Sequence, residues 1–299
     1  MKDDLKNEEF AIEAENVTYR AKDKVLIDSV DLQVRKGETF GLLGLNGSGK
    51  SLLIDIITDI IYPESGKVSL FGTSFKNVKG KVGVLYDNVS FIPFLKVGEF
   101  LNYVRLTLKV EKKRLEKIRE NLNLSKIEDK MVRVLSQGEK KRMGLAMALM
   151  NDPDLLIMDE PTTALDPFMR DLVWDLNKNK SKTVFLTSHS WDEAEKHCDS
   201  IAFIHNGKIL GQIKSPSELL ADELLPGKQK LKINKDESVL KFLNGSSYYY
   251  EENDAYHVFS HKIEEIISDL NSITSGYSVL PKSLKDIYFF LSISDTSKN

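Results

Sequence analysis

With 299 residues, 41% of them apolar and 29% charged, the chain can bury a sizeable core and has room for one large domain plus a smaller one. A formal charge of -3 argues against a nucleic-acid binder that relies on a basic surface, and a single cysteine, Cys198, excludes an internal disulfide framework and suits a reducing compartment. The charged amino end MKDDLKNEEFAIEAENV lacks a signal-peptide apolar run, and LLIDIITDII is cut by Asp55 and Asp59, so no segment is expected to span a bilayer and any membrane contact is expected through a partner.

In chain order, AIEAENVTY, VLIDSVDLQV and TFGLL alternate or run apolar and predict strands. GLLGLNGSGKSLLIDIITDI then reads as strand, glycine loop and amphipathic helix. From Val97 to Leu124 the period becomes helical, and the charge of KVEKKRLEKIRENLNL predicts solvated helix faces. Between Asp154 and Leu210, the segments DLLIMDE, FMRDLVWDLNK, TVFLTS, WDEAEKHC and IAFIHNGKIL alternate strand and helix, which predicts an α/β sheet with a helical insertion over 97–150. A break at Leu224 to Lys230, LLPGKQK, opens a tail of short strands and one helix, KIEEIISDLNSI.

Gly44, Leu45, Asn46, Gly47, Ser48, Gly49, Lys50 and Ser51 fit G-x-x-x-x-G-K-[ST]. Glycine's freedom in φ lets backbone N–H groups line a cradle for phosphate oxygens, and the helix that follows adds its positive end. Lys50 is placed to reach the β and γ phosphates and Ser51 to meet Mg²⁺. LLIMDEP supplies an apolar strand ending in two acids: Asp159 for the Mg²⁺ shell and Glu160 for a water in line with the γ-phosphate. Together these are a nucleotide hydrolysis site. A guanine-reading N-K-x-D is not found, since NKNK ends in Lys180, so ATP is the expected nucleotide.

At this point the chain resembles the ATP-binding subunits of ABC transporters, over about residues 10–221. Seven elements carry the resemblance: Tyr19, the P-loop, Asp87 at the Q-loop position, LSQGE at Leu135 to Glu139, Asp159 with Glu160, TALD ending at Asp166, and His189 in LTSHS. The resemblance implies a P-loop α/β core, a mixed sheet with flanking helices, together with an antiparallel β subdomain and an α-helical subdomain at about 97–150. The ATPase domain is then 1–224, and 225–299 is a small C-terminal α+β accessory domain for dimerisation or regulation. It implies that Tyr19 stacks on adenine, that His189 holds the γ-phosphate and attacking water, and that Asp166 couples two half-sites. Ser136, Gln137, Gly138 and Glu139 would face the γ-phosphate held by a second ATPase subunit, while Ser136 and Glu139 also have capping-box spacing. A homodimer and a heterodimer both remain open. The other implied partner is an integral-membrane permease, docked by a short cytoplasmic helix near Asp87 and the helical insertion, which places the chain at the cytoplasmic face of the membrane.

The chain departs from the family's pattern at four positions. Gln137 and Glu139 replace the commoner Gly and Gln, and Glu139 brings a negative charge that would slow the site or make it asymmetric. Asp87, twelve residues before Glu99, replaces glutamine, so it can accept or bind Mg²⁺ but cannot donate. Leu52 replaces a threonine and leaves only its backbone N–H for phosphate. HVFSH, His257 to His261, has metal-binding spacing only if helical and lacks a third ligand; Cys198 reads as a buried small residue and SYYYEEN as strand tyrosines. The end, PKSLKDIYFFLS, resembles the last segment of ABC-2-type exporter ATPases, which implies a bacterial exporter of peptides or amphipathic toxins and drugs. The alternatives are a soluble DNA-repair or ribosome-associated ATPase, for which the Ser51–Ser136 interval is too short or the single cassette too few, and a slow nucleotide sensor, disfavoured by Glu160 but left open by Asp87 and Glu139.

Overall fold

The computed structural model describes residues 9–87, 91–178, 180–243, 248–274 and 276–296. By internal packing the chain forms two units, Met1–His189 with His197–Ile209, and Ser190–Lys196 with Leu210–Asn299. No helix among the described residues is long and apolar enough to cross a membrane.

In the first unit, β1 (Phe10–Ala21), β2 (Lys24–Arg35), β3 (Thr39–Leu43), β4 (Ser65–Leu70), β5 (Val82–Leu85), β6 (Leu155–Met158), β7 (Thr183–Ser188) and β8 (Ser200–His205) are followed by β9 (Lys208–Lys214), which runs across the division. β4 and β5 add to the strands expected from the sequence. The three-stranded sheet has the order β2-β1-β4, with both pairings antiparallel. Val30, Leu32 and Val34 of β2 alternate with exposed residues, the mark of a sheet with one face in the core. The larger sheet has the order β5-β6-β7-β3-β8-β9, and β5–β6, β6–β7, β7–β3 and β3–β8 are parallel. Its central strands lie under cover on both faces, so TFGLL, LLIM and TVFLTS are buried at every position. The segment IAFIHNGKIL, expected as one strand, is two: Asn206 and Gly207 take φ of 47° and 78°, the turn that an Asn-Gly pair favours between neighbouring strands.

The helical insertion contains helices Val97–Thr107, Lys112–Asn121 and Gln137–Ala148. In the charged second helix only Leu115 and Ile118 are buried, as its solvated pattern requires. The third lies close on β5. A β-carbon at Gly83 would stand 2.1 Å from the Ala148 carbonyl oxygen, so glycine is what permits this approach.

The second unit holds β10 (Gln229–Asn234), β11 (Tyr249–Glu252), β12 (Ala255–Phe259) and β13 (Tyr277–Pro281), in an antiparallel sheet of order β11-β12-β10-β13. Leu231, Ile233, Val239, Leu243, Tyr256, Val258 and Leu270 form its apolar cluster. One helix was expected after residue 225, and three occur among the described residues: Glu237–Leu243, Ile263–Leu270 and Leu284–Thr296. The first is too short to display a helical period, and the aromatic run Tyr288, Phe289 and Phe290 of the last carries strand propensity that tertiary packing overrides. His257 lies in β12 and not in a helix, so the spacing that would have suited a metal is not realised. Instead His257 stacks on Tyr250 at 4.8 Å, and burial with the nearby Lys230 charge lowers its pKa to about 4.

In the final segment PKSLKDIYFFLS, Asp286 gathers partners both near and far in the chain. Asp286, fully buried, accepts from the Ser283 backbone N–H and hydroxyl at 2.8 Å each, from the Tyr250 hydroxyl at 2.6 Å and from Lys230. Removing a partner from a buried ion pair strands the other charge, so Asp286→Ala should cost about 3–5 kcal/mol in denaturant unfolding of the second unit. In the first unit, Gly83→Ala should cost about 1–3 kcal/mol by forcing the third helix away from β5, measured as a lowered melting midpoint.

Candidate functional site

β3 lies between β7 and β8, and Leu43 is in register with Ser188 and Phe203. The chain leaves β3 at Gly44, where a β-carbon would stand 2.4 Å from the Ile204 carbonyl oxygen. Gly47 and Gly49 take φ of 79° and 112°, which turns the loop back into helix Lys50–Ile57. Gly49 caps that helix with no side-chain hydrogen bond, so its first N–H groups are left to an anion. The buried Lys50 ammonium donates to the carbonyls of Gly44 at 2.7 Å and Leu45 at 3.2 Å, which aims it along the loop.

The acids arrive from β6. Met158 is in register with Leu186 of β7, and Asp159 and Glu160 follow it out of the sheet. Thr187 ties them down: its hydroxyl donates to Asp159 Oδ1 at 2.5 Å and accepts from the Glu160 N–H at 2.9 Å. Glu160 takes φ of 47°, a left-handed conformation that turns its side chain toward the loop. Its Oε1 lies 3.4 Å from Lys50 Nζ, and its Oε2 accepts from His189 Nδ1 at 2.8 Å. His189 is exposed, at the end of β7. Asp55, on the loop helix, has its carboxyl pKa raised by burial first and then by the Asp159 charge.

Of the residues expected from the sequence, Asn46, Gly47, Gly49, Lys50, Ser51, Leu52, Asp87, Asp159 and Glu160 line one cleft of about 490 Å³. Leu26 lines it as well and was not expected; a strand leucine gives no signal of it. Gly44, Leu45 and Ser48 complete the loop, Gly44 and Ser48 buried and Leu45 exposed. Asp87 is not alone at the wall: Lys141 Nζ lies 3.0 Å from its Oδ1. Tyr19 is half-buried on β1 opposite Ile27 and does not line this cleft.

Ser136, Gln137, Gly138 and Glu139 start helix Gln137–Ala148 and are not on the cleft wall either. Ser136 and Glu139 form the expected reciprocal cap, with bonds of 2.9 and 3.2 Å. Glu139 also accepts from Lys130 at 2.7 Å, and these bonds, Lys130 first, lower its pKa. A β-carbon at Gly138 would stand 2.5 Å from the Ala164 carbonyl oxygen. Asp166 caps helix Pro167–Asp175 through Met169 N and pairs with Arg142 at 3.0 Å.

The cleft suits a polyphosphate with a divalent cation. Ser48 Oγ and Glu160 Oε1 are buried without a hydrogen-bond partner, the loop helix presents uncapped N–H groups, and hard oxygen donors of Ser51, Asp87 and Asp159 share the wall.

The sequence pattern of the family described as ABC transporter matches residues 27–163. Over 226 residues the chain is 35% identical to the Nod factor export ATP-binding protein I of Ralstonia nicotianae, covering 71% of this chain and 70% of that one. It is 37% identical to the protein of the same name from Cupriavidus metallidurans, covering 71% and 74%. Among solved structures, cbiO1 from Clostridium perfringens, part of the ABC transporter complex cbiONQ, superposes with a TM-score of 0.62 at 23% identity, over 72% of this chain and 92% of that one. A dimeric bacterial ABC transporter cassette gives 0.62 at 24% identity, over 68% and 98%; these two likenesses speak for the fold. With a family pattern on the loop and acids, and relatives above 30% identity over most of their length, the chain belongs to the ATP-binding subunits of ABC transporters.

Proposed function

We propose that this chain is the ATP-hydrolysing subunit of a bacterial exporter, pairing head to tail with a second ATPase subunit and driving a separate membrane permease. The observation that carries the reading is the Glu160 carboxylate, suspended between Lys50 and His189 at the mouth of the P-loop cleft. In that position Glu160 takes the proton of a water that attacks the γ-phosphate of ATP. Lys50 and His189 hold the γ-phosphate, and the loop N–H groups hold the phosphates behind it. Ser51, Asp87 and Asp159 would hold Mg²⁺, which when bound neutralises phosphate charge.

Ser136 and Gly138 stand away from this chain's own cleft, which supports their service to a nucleotide held by the paired subunit. The Glu139 charge is already paired with Lys130 and the cap, so it does not stand against a phosphate unopposed. Tyr19 stacks on adenine and Asp166 joins the half-sites in this arrangement. For the permease, a groove of about 310 Å³ bounded by Val82, Val84, Tyr103, Val104, Leu108 and Met147 offers an apolar seat for a short helix. Leu106 on the helical insertion and Phe94 just before it, 58% and 72% exposed, add apolar surface.

The relatives named for Nod factor export support an outward direction. The substrate class we assign, on the resemblance of PKSLKDIYFFLS to exporter ATPases, is peptides or amphipathic toxins and drugs. Residues 225–299 serve as an accessory domain that helps the two ATPases pair, and the permease holds the chain at the cytoplasmic face of the membrane.

Two outcomes test this reading. Glu160→Gln should lower ATP turnover at least about a hundredfold, keep ATP binding, and accumulate an ATP-dependent dimer by light scattering; undiminished turnover would remove Glu160 as the base. Tyr103→Asp, at a residue 57% exposed, should leave turnover of the isolated chain intact and abolish its recovery with membranes that contain the permease.

A further inference from the structure

Lys141 is a buried lysine for which no motif accounts. It lies in the second turn of helix Gln137–Ala148 and is 8% exposed. Its Nζ is 3.0 Å from Asp87 Oδ1 and donates to the Glu160 backbone carbonyl. One ammonium therefore ties together the helix that begins at Ser136, the segment after β5, and the end of β6.

The consequence for Glu160 is direct. Its peptide is gripped on both sides, the N–H by Thr187 at 2.9 Å and the carbonyl by Lys141. Glu160 holds a left-handed backbone that a residue with a β-carbon adopts at some cost, which these two hydrogen bonds offset. The direction of its carboxylate, toward Lys50 and His189, follows from that backbone. A lysine this deeply buried is tolerated because both of its contacts are charge-assisted.

The consequence for Asp87 is a competition. Its carboxylate lines the cleft beside Ser51 and Asp159, the hard oxygen donors suited to a divalent cation, and it already carries an ammonium. A metal that draws on the same negative charge weakens its attraction for Lys141. We propose that Lys141 is the positioning residue that aims Glu160, and that it exchanges its hold on Asp87 with the nucleotide's divalent cation while keeping the Glu160 carbonyl. Metal arrival in the cleft then loosens the Ser136 helix from the Asp87 segment of the same chain. This rests on the ATP-hydrolysing function proposed above.

The experiment is ATP binding by the whole chain carrying Glu160→Gln, titrated in excess Mg²⁺ and in EDTA, with and without Lys141→Met. Removing the competing ammonium should raise the ratio of the two affinities about tenfold, the effect of one charge-assisted contact. With Glu160 intact, Lys141→Met should lower kcat about tenfold or more with KM changed less than about threefold, and Lys141→Arg should restore most of the loss. An unchanged affinity ratio overturns the proposal, as does a fall in kcat matched in KM that Lys141→Arg does not mend. Should Lys141→Met fail to fold, Asp87→Asn in the same binding assay decides. A ratio lowered several-fold supports the shared carboxylate, and an unaltered ratio refutes it. If the unsubstituted chain neither binds nor hydrolyses ATP, the proposed function itself fails. Normal turnover with a flat ratio removes only the role of Lys141.

Discussion

The parallel register of β6, β7 and β3 is the constraint on which the site depends. Leu43 pairs with Ser188 and Met158 with Leu186, so Gly44, His189 and the Asp159–Glu160 pair leave the sheet on the same edge. A slip of one residue in either pairing would turn the acids to the opposite face. Thr187 guards against such a slip. It is fully buried at the end of β7, and its hydroxyl is used by both Asp159 and Glu160. A polar residue there, where valine would pack as well, exchanges some apolar burial for fixed carboxylates. Sheet order and carboxylate position are one problem solved by one side chain.

How much of this was legible in the sequence follows from the range of each interaction. The loop Gly44–Ser51, the Ser136–Glu139 cap and the strand ending in Asp159 are local patterns, and local backbone chemistry suffices to read them. The contacts that complete them are not local. Lys141 meets Asp87 across 54 positions, Thr187 meets Asp159 across 28, and Arg142 meets Asp166 across 24. In the sequence Lys141 and Arg142 are two members of the basic run EKKR, with nothing to separate them from a solvated face. The same limit explains HVFSH: the spacing is a helix's, but pairing of β12 with β10 and β11 makes His257 to Phe259 the end of a strand. The other two tail helices, Glu237–Leu243 and Leu284–Thr296, were hidden for a related reason, since short length and aromatic content suppress the helical period.

Gly138 shows how one residue meets two demands. Within the chain, the Ala164 carbonyl comes so near that any β-carbon would force helix Gln137–Ala148 and the segment before Asp166 apart. Arg142, one turn along that helix, pairs with Asp166 and holds the same two elements together. The helix start and Asp166 therefore move as one body. Under the proposed pairing, that body is what this chain presents to its partner's nucleotide, and the close packing keeps the spacing between Ser136 and Asp166 fixed. A glycine required for packing also leaves the backbone open on its exposed side, so neither demand compromises the other.

The charge balance of the cleft points the same way as its geometry. Asp87, Asp159 and Glu160 line it, while Lys50 is spoken for by two loop carbonyls as well as by Glu160, and Lys141 by the Glu160 carbonyl as well as by Asp87. Asp55, just behind Asp159, registers the excess of acid: burial and the Asp159 charge both push its carboxyl toward the neutral form. A polyphosphate alone would worsen that repulsion. A polyphosphate accompanied by a divalent cation would relieve it, since a cation would be met by the acids and the phosphates by Lys50 and the loop N–H groups. The placement of acids on one side of the cleft and donors on the other thus favours the metal complex over the bare nucleotide under the proposed function.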